Sequence, residues 1–369
     1  MRLRERSIKI LSMNATRILY ILTILADKLL TPVRKYRLNR NIQHLHGKSE
    51  CSYAIDELVV LCVVRDGEFF IKTFIEYYFS IGVKHIFFID NGSTDKTVSI
   101  IKKYDNITLL RCILPFKKYK FLFKRYLIDR FCEGRWSLCV DIDEFFDYPY
   151  SDRINLQSFL SYLNAYSCTA VTTQMLDMFS SHPINRRIDC NHVPLTKVYR
   201  YYDISAISKK PYKSFFGRVN CLTNNLISVH LGGVRKKAFG LEKILLTKHS
   251  LIFLDKRIKT FYKEKIKFFG SASNHGVSNA KVGDVSCVLY HYKFHSKFYK
   301  QTQKAVREKN YSRNSYEYKC YLKALDKNLS LKLKNENSLM IKSVNELIDI
   351  QFIVISKRYK DWIKRHTVF

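Results

Sequence analysis

An α/β domain built on a largely parallel sheet flanked by helices is the fold class that this 369-residue sequence predicts. Two observations carry the prediction. Short, wholly apolar runs rich in Val, Ile and Phe recur along the chain, as strands buried on both faces require. Between them lie longer stretches whose apolar positions fall at helical spacing, the alternation that a parallel sheet and its covering helices produce.

Taken in order, residues 1–50 read as a basic amphipathic segment and linker. The partly apolar stretch from Ile8 to Leu30 is interrupted by Lys9, Arg17, Asp27 and Lys28. A spanning helix needs about 20 mostly apolar residues, so this segment is marginal for crossing a membrane. Ile18, Leu22, Leu25 and Leu29 fall on one helical face between basic ends. That suits an N-terminal helix, resting on an anionic membrane or packed on the domain. Residues 31–56 read as a polar connector. Leu58–Val64 (LVVLCVV) is the first buried strand, and residues 68–81 follow as a helix stopped by Gly82. His85–Ile89 is the second strand, entering a helix over 93–104 through Asn91-Gly92-Ser93-Thr94-Asp95. Ile107–Cys112, a helix over 121–133, and the strand Trp136–Val140 complete the alternation, with one further strand expected at Ala170–Gln174. Residues 180–240 read as loops with short strand-like pieces. The domain is expected to run over 51–295. From Ser296 the chain is Lys-rich and helical in pattern, with Phe298, Val306, Tyr311, Tyr318, Leu322 and Leu325 facing inward.

Lys and Arg number 64 against 32 acidic residues, a formal charge of +32. Such an excess attracts polyanions: nucleic acid, anionic lipid or phosphorylated substrates. It is spread along the chain and not gathered into one arm, which weighs against nucleic acid. Ten cysteines lie without metal-ligand spacing, as in a reduced, cytosolic protein whose thiols act as small core residues.

Chemistry concentrates in three places. The strand Trp136-Ser-Leu-Cys-Val runs into Asp141-Ile-Asp143-Glu144-Phe145. In an open α/β sheet ligands bind beyond the carboxyl ends of the strands. Two carboxylates two residues apart at such an end can converge on one divalent cation, Mn²⁺ or Mg²⁺, that neutralises a diphosphate. Taken alone, such a pair is also an ordinary acidic turn. Asp90-Asn91-Gly92-Ser93-Thr94-Asp95 follows the second strand, where an acid can accept hydrogen bonds from a base or ribose, although the same residues make a common turn and cap. Arg65-Asp66-Gly67-Glu68 ends the first strand beside the same presumed cleft.

The stretch LVVLCVVRDGEFFIKTFIEYYFSIGVKHIFFIDNGSTDKT, followed further on by WSLCVDIDEFF, resembles the family 2-like glycosyltransferases and their family 92 relatives. The resemblance implies a GT-A fold over this region. Asp90, Ser93, Asp95, Asp141, Asp143, Glu144 and Phe145 match the family's pattern. The turn Arg65-Asp66-Gly67-Glu68 departs from it by one inserted residue and by Asp for Asn, and Tyr78 stands where a His is usual. The resemblance implies that Asp90 or Asn91 contacts uracil or ribose, that Asp141 meets the ribose or the metal, and that Asp143 is the principal metal ligand. His291, in a late Leu-Tyr-His-Tyr run, is then a further metal ligand or diphosphate contact, and His230 a weaker candidate. A hydrogen-bonded structural histidine is the ordinary alternative for each.

On that reading the chain moves a hexose, galactose or glucose, from a uridine-diphosphate sugar to a glycan or lipid-linked glycan acceptor. The setting is surface polysaccharide or lipopolysaccharide synthesis, on the cytoplasmic side and in peripheral contact with an anionic membrane. The resemblance implies inversion, which needs a carboxylate to take the acceptor proton. Asp177 (QMLDMF) is the first choice, with Asp189 and Asp203 as rivals. Two other classes remain open. The pI of 9.7 and interleaved aromatics suit a nucleic-acid binder, which needs stacking faces exposed. A nucleotidyltransferase also uses paired aspartates but expects a Gly-rich phosphate loop, where Arg65–Phe70 has only Gly67.

Overall fold

The computed structural model describes residues 29–186, 194–213, 221–222, 226–254, 277, 280–309 and 311–366. The expected N-terminal helix from Ile8 therefore lies largely outside the described residues, as does Asp189.

Strands β1 (Gln43–His46), β2 (Leu58–Val64), β3 (His85–Asp90), β4 (Ile107–Arg111), β5 (Trp136–Cys139), β6 (Glu144–Asp147) and β7 (Ala170–Asp177) come first in the chain. The later strands are β8 (Tyr201–Tyr202), β9 (Ile207–Pro211), β10 (Cys221–Leu222), β11 (Ser228–Gly232), β12 (Thr247–Phe253), β13 (Lys281–His291) and β14 (Leu339–Met340). Ten of them form one sheet in the order β1-β4-β3-β2-β5-β12-β7-β13-β10, with β6 added alongside β13. β4, β3, β2 and β5 are mutually parallel, as are β7, β13 and β10. β12 is antiparallel to both β5 and β7. Two strands that each oppose β12 must run the same way, so β2–β5, β7 and β13 all point to one edge. The fold class is thus α/β with a mixed sheet whose two parallel blocks flank one reversed strand.

Alternate residues explain the two layers, because side chains in a strand point to opposite faces. Val60, Cys62, Ile86 and Phe88 meet the helices Ile71–Ser80, Leu156–Ala165 and Lys357–His366 on one side. Val59, Leu61, Phe87 and Ile89 meet the helix Phe116–Phe131 on the other. Phe87 and Phe88 are fully buried, which removes them from any base-stacking surface. Cys62, Cys112, Cys168 and Cys287 are buried as small core residues.

Several expectations change. The connector over 31–56 is in fact a helix over 29–41 followed by β1, which pairs antiparallel with β4. Its polar composition hid both, since only Leu38 of that helix is buried. The helix expected over 93–104 shrinks to Thr97–Ile101, because Asp90 to Asp95 is taken up by a hydrogen-bonded turn. The loop-rich reading of 180–240 missed the helix Val234–Phe239. Beyond Ser296, helices Phe298–Glu308 and Ser312–Lys327 form as predicted, but Tyr311 is 41% exposed while Tyr321 is fully buried. Residues 339–366 are not purely helical, and Val344, Phe352, Ile353 and Tyr359 join the main core of the sheet.

His230 lies on β11, is buried, and packs its ring against Phe352. Its Nδ1 has no hydrogen-bond partner among the described residues. Burial, aided by Lys209, lowers its pKa to about 3. The unfolded chain, titrating near 6.5, takes the proton first. Stability is therefore intact above about pH 6.5 and is lost as pH falls toward 3. His230→Phe keeps the ring and removes the orphan nitrogen. Relative to the wild type, the variant should gain stability as pH drops from 7 to 4, reaching roughly 3 kcal/mol at pH 4. Urea titrations at both pH values measure this; a difference that stays constant with pH would refute it.

Candidate functional site

The common direction of β2, β3, β5, β7 and β13 delivers the polar residues at their carboxyl ends to one edge. Asp66 follows β2, Asp90 ends β3, Asp141 and Asp143 follow β5, Asp177 ends β7 and His291 ends β13. β12 runs the other way, so this edge receives its first residues, Thr247 and Lys248.

At the first two turns the side chains mostly hold each other. Asp66, at φ 52, accepts from the Thr94 amide at 2.9 Å, while its own N–H donates to Ser93 Oγ at 2.9 Å. Lys304 reaches Asp66 Oδ2 at 3.0 Å from the helix Phe298–Glu308. Although burial opposes it, the Thr94 amide and Lys304 hold the Asp66 carboxyl below its ordinary pKa. Asp95 accepts from the Glu68 amide at 2.9 Å and from Thr97 N–H at 3.0 Å, which stitches the two turns together. Asn91 donates its amide to the Cys112 and Leu114 carbonyls at 2.6 and 2.9 Å. Asp90 Oδ1 accepts from Ser93 N–H at 3.0 Å. Its fully buried Oδ2 lacks a hydrogen-bond partner among the described residues and faces Arg111 at 3.6 Å. Arg65 is half exposed, 4.0 Å from Asp66.

The Asp141–Asp143 turn is denser. Asp141, its side chain half exposed, lies between two ammonium groups, that of part-buried Lys124 at 2.9 Å and that of buried Lys248 at 3.9 Å. Lys248 also bonds Glu144 Oε1, and the Glu144 carboxylate accepts from the Asp141 amide at 3.2 Å. Burial favours a protonated Asp141, but Lys124 and Lys248 outweigh it and hold the carboxyl well below the usual range. Tyr78 donates to the Glu144 carbonyl at 2.8 Å and accepts from the Phe146 amide at 3.1 Å. It ties the helix Ile71–Ser80 to the strand behind the site.

Asp143 Oδ2 lies 3.3 Å from His291 Nε2, and the Tyr292 amide donates to the Asp143 carbonyl at 2.8 Å. Against burial, His291 lowers the Asp143 pKa to about 2. On its other side His291 Nδ1 lies 2.6 Å from Asp177 Oδ1. Arg235 grips Asp177 with both arms, Nε to Oδ2 at 2.8 Å and Nη2 to Oδ1 at 2.7 Å, and reaches Glu317 at 3.4 Å. Burial opposes ionisation of Asp177, yet Arg235 and His291 keep its carboxyl well below the usual range. A carboxylate so held is a weak proton acceptor. Asp203 is likewise buried, engaged by Lys237 at 3.1 Å and by Asn335 at 2.9 Å.

Among the described residues no three His, Cys, Asp or Glu side chains form a group that could hold a metal ion by themselves. What the residues offer is the Asp143–His291 pair. Two adjacent ligands of one cation, each about 2.1 Å from it, stand roughly 3 Å apart, close to the 3.3 Å between Oδ2 and Nε2. Hard divalent cations at phosphate sites take one or two protein ligands and fill the rest with water and phosphate oxygens. The pair fits such an ion. The Asp141 carboxylate is engaged by lysines instead.

Lys248, Lys124, Arg235 and Glu144 were missed from the sequence as partners of the aspartates. In a chain with 64 basic residues no single Lys or Arg stands out; only the reversal of β12 marks Lys248. The chain matches no protein family model and no curated protein.

Arg235→Met would leave Asp177 buried without its main counter-charge. It should cost about 3–5 kcal/mol of folding stability, read from the urea midpoint at neutral pH. A loss below about 1 kcal/mol would show that the pair is not what keeps Asp177 ionised.

Proposed function

We propose that this chain is a metal-assisted glycosyltransferase that moves a hexose from a uridine-diphosphate sugar to a glycan or lipid-linked glycan acceptor. Its place would be surface polysaccharide or lipopolysaccharide synthesis. The observation that carries the reading is the meeting of Asp143 and His291 beside Asp141 at the carboxyl edge of a mostly parallel sheet. That edge is where α/β proteins of this kind bind ligands, and the resemblance to family 2-like glycosyltransferases, with its GT-A fold, rests on the same turns.

In this reading Asp143 and His291 hold a divalent cation, Mn²⁺ or Mg²⁺. When bound, the cation neutralises charge that builds on a leaving nucleoside diphosphate. Lys124 and Lys248, paired with Asp141 and Glu144, keep the turn charge-balanced beside the place where such a diphosphate would lie. Base and ribose would lie against the Asp66 turn, which the Asp95 turn braces, while the fully buried Asp90 supports it from behind by accepting from Ser93 N–H. Lys304 of the C-terminal helices closes the same side through Asp66.

A membrane surface is proposed as the second partner. Leu29, Val33 and Tyr36 fall on one side of the helix over 29–41 and are 78%, 60% and 68% exposed, among Arg37 and Arg40. An apolar stripe between basic residues suits the interface of an anionic bilayer. Among the described residues no helix is long and apolar enough to cross one.

Two measurements test the proposal. Hydrolysis of uridine-diphosphate hexoses should depend on Mn²⁺, and Asp143→Ala should lower it about 100-fold or more while the circular dichroism spectrum is kept. Equal turnover by Asp143→Ala would end the reading. In liposome sedimentation the chain should pellet with vesicles containing anionic lipid and not with neutral ones, each engaged basic residue adding about 1 kcal/mol. The triple change of Leu29, Val33 and Tyr36 to Ser should release it; indifference to lipid charge would remove the membrane from the proposal.

A further inference from the structure

The site contains a row of groups that no simple metal turn requires. It runs from Glu317 on the helix Ser312–Lys327, through Arg235 and Asp177, to His291 and Asp143. Asp177 and His291 face each other directly across paired strands, since the β7–β13 register aligns them. The β13–β6 register sets His291 against Glu144 on its other side. The imidazole is therefore fixed between two strands, with one nitrogen toward Asp177 and the other toward Asp143.

The contacts around Nδ1 decide which nitrogen carries the proton when the ring is neutral. Nδ1 lies 2.6 Å from Asp177 Oδ1 and 2.8 Å from Arg235 Nη2. If Nδ1 were a bare lone pair, it would face an ionised carboxylate oxygen at 2.6 Å, lone pair against lone pair. If Nδ1 carries the proton, that contact is a short charge-assisted hydrogen bond. Arg235 Nη2 keeps Asp177 Oδ1 as its own acceptor at 2.7 Å in either case. A bare Nδ1 could accept from Arg235 Nη2 at 2.8 Å, but only by facing the closer carboxylate oxygen at 2.6 Å. The shorter contact, to the charged carboxylate, outweighs it, so Nδ1 is the protonated nitrogen and Nε2 presents its lone pair toward Asp143.

We infer that Asp177 and Arg235 form a positioning unit, which holds His291 in the tautomer and orientation needed to bind a divalent cation together with Asp143. The inference rests on the cation reading of this site and gives Asp177 the task of orienting a ligand in place of accepting the acceptor's proton. A carboxylate behind a metal-binding histidine fixes its ring and raises its basicity, and loss of such a group weakens metal binding about 10–100-fold. Glu317, with Tyr321 and Lys293 around it, anchors the far side of Arg235 and so links the C-terminal helices to the unit.

Asp177→Asn is the informative change. Arg235 can only donate, so it will claim the Asn oxygen and turn the amide N–H toward Nδ1. Nδ1 then becomes the acceptor, and the proton moves to Nε2, where it blocks the cation. Mn²⁺ binding to the full-length chain, measured by calorimetry without nucleotide, should weaken about 10–100-fold in Asp177→Asn. Asp203→Asn, a buried carboxylate outside the row, should leave it unchanged. Unaltered Mn²⁺ affinity in folded Asp177→Asn overturns the inference and leaves the transferase reading standing, with Asp177 again available as a base. Failure of the wild type to take up Mn²⁺ overturns both. If Asp177→Asn does not fold, the wild type decides the matter by nitrogen-15 spectroscopy of labelled histidines with Mg²⁺ added, His291→Gln assigning the signal. A protonated Nδ1 with an unprotonated Nε2 supports the unit; the reverse pattern overturns it.

Discussion

Everything at this site depends on strand direction. Because β2, β3, β5, β7 and β13 run the same way, their connections open at one edge, and each carries an acid or a histidine there. Carboxylates gathered in this way repel one another and lose hydration as they are buried, a cost that is tolerable only if cations are supplied within contact distance. The reversed strand β12 is the topological answer, since it starts where its neighbours end and so places Lys248 among the acids. Lys124 and Arg235 arrive from two separate helices for the same electrostatic reason.

The result is a balanced cluster inside a strongly basic molecule. A formal charge of +32 favours approach of anionic ligands over the whole surface, while at the edge itself acids and bases alternate over short distances. Asp141 is bracketed by ammonium groups, whereas Asp143 faces an imidazole. The two members of one Asp-x-Asp turn thus sit in different environments, the first held by ammonium groups and the second beside a histidine nitrogen. In an extended strand residues two apart would share a face; here a turn, closed by the Glu144 amide onto the Asp141 carbonyl at 3.0 Å, sends them to different neighbours.

The C-terminal region belongs to this arrangement more closely than its Lys-rich composition suggests. Lys304 bonds Asp66, Glu317 bonds Arg235, and His295 stacks on Phe69 at 4.6 Å, beside the turn after β2. Farther on, Arg358 and Ser356 hold the buried Asp284 at the start of β13, and Tyr359 donates to the Pro149 carbonyl. These contacts brace both ends of β13, and with them the position of His291.

What was legible in the sequence is what depends on neighbours along the chain. The apolar runs of β2, β3, β4 and β5, the stop at Gly82 and the acids at strand ends follow from local periodicity and turn chemistry. β1 was hidden because an edge strand with one exposed side lacks an apolar run, and β13 because its polar residues interrupt one. What only the tertiary structure decided is pairing across distance. Nothing local distinguishes Lys248 or Arg235 from the other basic residues, or shows that Asp177 would face His291 across 114 positions of sequence. Those partnerships come from the order and direction of strands in the sheet, which are set by the packing of both faces at once. No window of the sequence contains that information.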